Sequence, residues 1–371
     1  MSEALADNRP AVSRGWIGSY GVLYLGVNLA WAAPSQLLIG NQILAWHPEN
    51  KENLLALIMT VGGFLGLVAS PIFGMLSDRT RSRWGRRAPW IVGGAMGAAM
   101  SLVAMGFAPS FVWLVILWSV FQIFNASSVT TSQAIPPDRV SRRQYGVVSG
   151  VMGIAWTLAV VLGTLLAESL SITGAYIASA VLLLALIVPF LLRHNDTAEH
   201  PGPADSSSLW EAAAAGSVLE SELEGAITES EEKGLAAYRD FMWVFVSRLT
   251  ATLGNTIALF YLLYYLRDHI GMADPDFGVL LLTGIYALTV VVSSIAAGRA
   301  SDRLGVRKPF VFLSLIGVAT ACGIMAFAHT LPLVIGAAII LGAAWGTSVS
   351  YTHLTLPTIL RSCRSRWSPY H

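Results

Sequence analysis

Charged residues are scarce in this chain. Asp, Glu, Lys and Arg make up 12% of its 371 residues, whereas hydrophobic residues make up 54%, and the mean hydropathy is +0.61. A typical soluble domain carries about 25% charged residues. The composition therefore indicates a membrane protein and argues against a soluble globular domain. The net charge of +1 offers no evidence for a nucleic-acid partner, and none is expected.

Cysteine and metal-ligand patterns are equally sparse. Two cysteines cannot form a disulfide framework, and no metal-ligand spacing occurs. His47, His269 and His329 fall in loops outside the apolar runs. An enzyme embedded in the membrane would need His, Cys or acidic residues that converge within those runs. We therefore expect no enzyme activity, no cofactor and no metal.

Long apolar runs are abundant. A membrane-spanning helix needs about 20 mostly apolar residues, and ten runs meet this requirement. Six precede a polar break and four follow it: 16–44, 53–76, 88–108, 111–134, 147–167 and 172–192, then 241–266, 277–298, 309–328 and 330–348. The predicted fold class is an all-α polytopic membrane bundle. Its N-terminal half spans 16–192 with six helices, and an incomplete C-terminal half spans 240–348 with four.

The loops differ in charge. Lys and Arg collect in 79–87, 139–143 and 299–308, whereas the alternate loops hold only Lys51 and Arg267. Cytoplasmic loops collect Lys and Arg, so these three loops and the N-terminal segment 1–15 are expected on the cytoplasmic side of the cell membrane.

The polar break, 193–239, is acidic and rich in Ser, Gly and Pro at its start. This composition is typical of a flexible linker, which we expect to be cytoplasmic. A short surface helix from Trp210 to Glu224 is the alternative.

One charged pattern occurs twice. The stretches GMLSDRTRSRWGRR and GRASDRLGVRK both place Gly four residues before Asp-Arg, with a second Gly and paired cations after it. The residues are Gly74, Asp78, Arg79, Gly85, Arg86 and Arg87 in the first copy, and Gly298, Asp302, Arg303, Gly305, Arg307 and Lys308 in the second. Anchoring of loops would explain the charge but not the recurrence after the second helix of each half. Internal duplication is typical of secondary transporters.

The doubled pattern resembles the Gly-x-x-x-Asp-Arg-x-Gly-Arg-Lys signature of the major facilitator superfamily. The extra residues of the first copy, AIPPDRVSRRQYG after helix 4 and FYLLYYLRDHIG in helix 7 are similar to the glycoside–pentoside–hexuronide and sucrose-type sugar symporters. The resemblance covers about residues 16 to 348 and implies alternating access to a central site. It also implies that Asp302 faces the start of helix 5, near Gln144 to Gly146, and that Asp78 faces the start of a helix 11. The arginines would pair with these or other carboxylates, as a gate on the cytoplasmic side.

The family resemblance implies twelve helices, but the last spanning run ends near Ser348. Residues 349–371 contain no apolar run of spanning length, and their first ten, VSYTHLTLPT, resemble the translation of a transposase sequencing adapter. We interpret 349–371 as a non-native tail and the C-terminal half as truncated after helix 10. A genuine cytoplasmic tail is the alternative.

Polar residues deep in cavity-facing helices are the candidates for solute binding. They share one face of each helix: Tyr24, Asn28, Trp31 and Ser35 on helix 1, Gln122, Asn125 and Ser132 on helix 4, and Arg248, Thr252 and Asn255 on helix 7. Amides beside aromatic rings suit a neutral, hydroxyl-rich solute such as a sugar. Each could instead bond a neighbouring helix, and Arg248 could anchor the helix at the interface or face an anionic group.

The predicted function is secondary active or facilitative transport of a small polar solute, with the lipid bilayer as the other partner. Coupling to H⁺ or Na⁺ follows from the resemblance to symporters, but no matching acidic residue lies in the middle of a helix. Glu168 and Asp240 lie at helix ends. A drug efflux carrier and a non-transporting membrane sensor are the alternative functions.

Overall fold

The computed structural model describes residues 11–82, 84–141, 144–193, 252–304 and 308–347, together with 242, 246, 249 and 250; the side chains of 298–299 and 301–311 are excepted. The chain divides into two compact units. The second unit, Thr197–Gly254, is helical at its few described positions. The predicted linker 193–239, except for its first residue, and the predicted tail 349–371 lie outside the described residues, as does Arg248.

The first unit is a helical bundle. Its N-terminal half contains α1 (Arg14–Trp46), α2 (Lys51–Arg79), α3 (Ala88–Gly106), α4 (Phe111–Gln133), α5 (Tyr145–Ser169) and α6 (Ile172–Arg193). Its C-terminal part contains α7 (255–269), α8 (Pro275–Leu304), α9 (Lys308–Phe327) and α10 (Leu331–Thr347). Within the described residues there is no strand, and seven helices, α1–α6 and α8, are long and apolar enough to cross a membrane. The predicted all-α membrane fold is confirmed.

Helix α1 lies inside the N-terminal half. Of its most apolar stretch 83% is buried, compared with 22% to 50% for the other spanning segments, because α5 and α6 pack along it. The helix passes through Pro34 by widening into a π-helical turn, Pro34–Leu38. Proline lacks the N–H that an α-helical ladder needs. This turn contacts α5, α6 and α8, so α1 touches both halves there.

Small residues set the contact between α8 and α10. A Cβ on Gly342 would lie 2.7 Å from the carbonyl oxygen of Tyr286, and one on Gly346 would lie 3.0 Å from Val290 Cα. The Gly-x-x-x-Gly spacing in α10 therefore lets two helices of the C-terminal part approach closely.

Neighbouring helices run antiparallel, so alternate connections lie at the same end of the bundle. The two ends differ in the charge of these connections. We call the end with the α2–α3, α4–α5 and α8–α9 connections the basic end, and the other the opposite end.

A large apolar cluster joins α7 and the first turns of α8 to the N-terminal half, from Ile39 and Ile43 across to Leu263 and Leu266. A smaller cluster in the C-terminal part contains Val318, Ala321, Leu341 and Ala344.

Candidate functional site

Arg87 is the centre of the charged cluster at the basic end. Its buried guanidinium lies with Nη2 3.2 Å from Asp78 Oδ1, at the end of α2. Its Nε donates to Asp138 Oδ2 at 2.9 Å, and Arg86 Nη2 lies 2.7 Å from the same oxygen. Asp138 belongs to the short helix Ile135–Arg139 that follows α4. One arginine thus bridges two carboxylates from different helices with charge-assisted hydrogen bonds.

A glycine turn brings Arg87 to this position. Gly85 has a φ of 89°, which residues with a side chain rarely adopt, and its N–H donates to the carbonyl of Ser82 at 2.9 Å. The chain then enters α3 with Arg87 at the N-cap. Gly74 has no such requirement, because a Cβ there would meet Thr130 Cγ2 at an ordinary 3.7 Å.

These ion pairs lie inside the N-terminal half. Arg79 of the same motif is exposed. In the second copy, Gly305 and Arg307 lie outside the described residues. For the other four residues only the backbone is described: Gly298, Asp302, Arg303 and Lys308. The predicted contacts of Asp302 with α5, and of Asp78 with a helix 11, therefore stay predictions.

The start of α5 is occupied by the N-terminal segment. The amide of Gln144 pairs with the backbone of Val12: the Val12 N–H donates to Oε1 at 2.8 Å, and Nε2 donates to the Val12 carbonyl at 3.0 Å. This contact, like the arginine cluster, lies within the N-terminal half.

At the opposite end, an ion pair and several hydrogen bonds join the two halves. Lys51, at the start of α2, lies with Nζ 2.5 Å from Asp268 Oδ2 at the end of α7. The Lys51 side chain is only 12% exposed, and its Nζ lies 5.5 Å from the centre of the Tyr264 ring. This cation therefore has an ion pair and a cation–π contact on the other half.

Three further hydrogen bonds join the two halves at this end. The Tyr264 hydroxyl donates to the carbonyl of Gly40 at 3.0 Å, and the Tyr261 hydroxyl donates to the carbonyl of Glu52 at 3.2 Å. Nδ2 of Asn41 donates to Asp276 Oδ1 at 3.0 Å. All three bonds join α1 or α2 to α7 or α8.

The polar residues of α1 are partly engaged by α1 itself. Asn28 Nδ2 donates to the carbonyl of Tyr24 at 2.6 Å, and Ser35 Oγ donates to the carbonyl of Trp31 at 2.8 Å. The Tyr24 hydroxyl accepts from Gln133 Nε2 at 3.4 Å. Gln133 is exposed at the end of α4, and sequence reasoning did not select it.

Trp31 forms an aromatic cluster that spans both halves. Its ring lies 5.8 Å from that of Trp156 on α5 and 5.9 Å from that of Phe260 on α7, measured between centroids. Helical spacing identified Trp31 in the sequence. It could not identify Trp156 or Phe260, which come close to Trp31 only through the packing of α1 between α5 and α7.

Two buried amides have an oxygen without a hydrogen-bond partner in the described part of the chain. They are Oδ1 of Asn125, on α4, and Oε1 of Gln36, in the π-helical turn of α1. Such orphaned groups are costly and need an explanation. Asn125 was a sequence candidate, whereas Gln36 was not, although a polar pair directly after Pro34 in an apolar helix is a visible signal.

The remaining candidates have ordinary partners or lie elsewhere. Asn255 Oδ1 accepts from the Tyr286 hydroxyl at 3.1 Å, and Ser132 Oγ donates to the carbonyl of Val129 at 2.8 Å. Gln122 is half-buried beside Gly62. Thr252 belongs to the second unit.

A comparison with protein families matches residues 17–360 to the model described as Major Facilitator Superfamily. A solved structure of a point mutant of the nucleoside transporter NupG is similar, with a TM-score of 0.62 and 12% identity over 95% of this chain and 86% of the other. At that identity the likeness shows the fold alone.

Curated relatives match shorter segments. A general alpha-glucoside permease of Schizosaccharomyces pombe is 33% identical over 29% of this chain and 19% of its own length. A sucrose transport protein of Oryza sativa subsp. japonica is 30% identical over 28% and 19%. An uncharacterized symporter of Synechocystis sp. is 44% identical over 15% and 10%. The matches thus span less than a fifth of each relative.

Proposed function

The chain belongs to the Major Facilitator Superfamily, and from this premise we propose that it carries a small polar solute across a cell membrane by alternating access. The main support is the distribution of contacts between the halves. The ion pair of Lys51 with Asp268 and the hydrogen bond of Tyr264 to Gly40 join the halves at the opposite end, whereas the ion pairs of Arg87 at the basic end stay within one half. Contacts such as those of Lys51 and Tyr264 close a carrier at the end where they form.

The orientation follows from the charges. Cytoplasmic loops collect Lys and Arg, so the basic end and the N-terminus face the cytoplasm in the proposed arrangement. The contacts of Lys51 then close the side away from the cytoplasm. Binding and release of solute require these contacts to open in turn.

The solute that we propose is a sugar or a glycoside. The ring of a sugar has apolar C–H faces that pack on aromatic side chains, and its hydroxyls need donors and acceptors. The Trp31 cluster supplies the first, and the unpartnered oxygens of Asn125 and Gln36 supply acceptors. The alpha-glucoside permease and the sucrose transport protein among the relatives favour the same class. Coupling to H⁺ or Na⁺ stays a prediction from the resemblance.

Binding by the purified chain and uptake by vesicles that contain it test this proposal. We expect saturable binding and uptake of a labelled disaccharide, and loss of both in Trp31→Ala because the ring platform is removed. Trp113→Ala is the matched control, since Trp113 is 53% exposed on α4 and contributes to no part of the proposed site. Extrusion of a cationic dye without sugar binding would contradict the sugar assignment in favour of an efflux carrier. Sugar binding without uptake would support a sensor and contradict transport.

A further inference from the structure

Two histidines meet at the opposite end of the C-terminal part. His269 ends α7, and His329 lies in the connection between α9 and α10. Their ring centroids are 4.8 Å apart, with 38° between the ring planes, and both residues are exposed. Sixty positions of sequence separate them, which is why no ligand spacing is visible in the sequence.

One tyrosine contacts the ring of His269 and the backbone beside His329. The ring of Tyr265, one turn before His269, stacks on the His269 ring at 5.2 Å. Its hydroxyl hydrogen is shared between the carbonyls of Met325, at 2.7 Å, and Ala328, at 3.0 Å. Ala328 directly precedes His329. The π-helical turn Tyr265–His269 also brings the two rings of this segment together, and such turns are frequent at functional sites.

We propose that His269 and His329 together bind a divalent transition-metal ion, such as Zn²⁺ or Cu²⁺, with water molecules as the remaining ligands. Neutral imidazole is a common ligand of both ions, at about 2.0–2.1 Å for Zn²⁺. Two imidazoles already in contact bind one ion with little further loss of conformational freedom. No group of three or more potential metal ligands occurs in the described residues, so the site differs from a four-ligand structural zinc site.

The position of this site links it to the contact between the halves. A bound ion would tie the end of α7 to the segment before α10. Asp268, the residue before His269, forms the ion pair with Lys51 of the N-terminal half. The metal would therefore stiffen the C-terminal side of that contact.

Metal binding by the purified full chain tests the proposal without relying on transport. Cu²⁺ titration followed by electron spin resonance should show two coordinated imidazoles at the first site that fills. His269→Ala and His329→Ala should each weaken this site by about 100-fold, because either change abolishes chelation. The second substitution in the double variant should weaken binding much less than the first, because chelation is already lost and only one imidazole remains to be removed. It also measures background binding by the other histidines.

His47→Ala is the matched control, because His47 lies at the same end but its ring faces Phe111, at 6.4 Å. The His47→Ala variant should bind the metal with the same affinity as the unchanged protein. Tyr265→Phe keeps the stacked ring and removes the hydroxyl that fixes Ala328, so it should weaken binding less than loss of a histidine. A signal from one imidazole only, or an unchanged affinity in His329→Ala, would overturn the proposal and leave the proposed solute transport untouched.

Discussion

At the basic end, Arg87 joins Asp78 and Asp138 within the N-terminal half, whereas at the opposite end Lys51 joins Asp268 across the two halves. Both cations are largely buried, and each pairs with a carboxylate that is about half-exposed. Their side-chain chemistry is similar, but the topology differs. The ion pairs of Arg87 fix helix ends inside one half, and the ion pair of Lys51 holds the two halves together.

This difference separates two roles in the proposed cycle. Rocking of one half against the other can leave the ion pairs of Arg87 with Asp78 and Asp138 intact, because all three residues lie in the same half. The Lys51 pair cannot survive the same movement. Changes at the basic end should therefore alter the stability of the fold, and changes at the opposite end should alter the equilibrium between closed and open forms.

The largest expected effect comes from Arg87→Ala. It leaves two carboxylates, at the end of α2 and in the short helix after α4, without their shared cation. We expect the free energy of unfolding to fall by about 3 kcal/mol, the lower limit for breaking a buried pair, since both carboxylates stay accessible to water. Thermal unfolding of the purified chain measures it. Arg79→Ala is the control, because Arg79 is exposed in the same loop. Equal losses of stability in the two variants would contradict the structural role of Arg87.

The sequence predicts the helices of this protein better than it predicts such contacts. The predicted run 111–134 corresponds to the helix Phe111–Gln133, and the run 309–328 corresponds to the helix Lys308–Phe327. They agree because the thickness of the bilayer fixes the length of an apolar run. At α8 the predicted end, 298, is too early. The helix continues to Leu304 because basic residues can extend a helix beyond the apolar layer without breaking its backbone hydrogen bonds.

Partners across the bundle could not be predicted. The pairing of Arg87 with Asp138 depends on the turn at Gly85 and on the packing of α2, α3 and α4. The spacing of Asn28 and Ser35 placed both on one face of α1, but periodicity cannot show that their donors bond to carbonyls of the same helix. In the sequence, Lys51 was only a single cation in a loop with few basic residues.

Lys51→Ala should have a smaller effect on stability, about 1 kcal/mol, because Asp268 is 45% exposed and regains water. Its main effect should be on the distance between the halves. Spin labels can be placed at Glu49 and Ala273, one exposed position on each half. Double electron–electron resonance should then show a larger population with a long distance between the two labels. In the double variant Arg87→Ala/Lys51→Ala the two losses of unfolding free energy should add, since the two sites share no partner.

Exchange of the two charges sharpens this test. Lys51→Asp combined with Asp268→Lys should restore the short distance, whereas either change alone should not. Glu52→Gln is the control, because Glu52 lies 3.8 Å from Lys51 within the same half. A long-distance population in Glu52→Gln as large as that in Lys51→Ala would show that the contact between the halves does not depend on Asp268.

The smallest expected effect is that of Tyr264→Phe, which keeps the ring beneath Lys51 and removes one hydrogen bond to the Gly40 carbonyl. A neutral hydrogen bond contributes about 1 kcal/mol, so the ratio of open to closed forms should rise by about fivefold. This rise should be smaller than in Lys51→Ala, because that variant loses both the ion pair and the cation–π contact. Tyr286→Phe also removes a buried hydroxyl, but its bond to Asn255 lies within the C-terminal part. It should lower thermal stability and leave the spin-label distance unchanged. If both tyrosine variants shift the distance equally, the opposite end is not where the two halves are held, and the asymmetry between the two ends no longer explains the closed form.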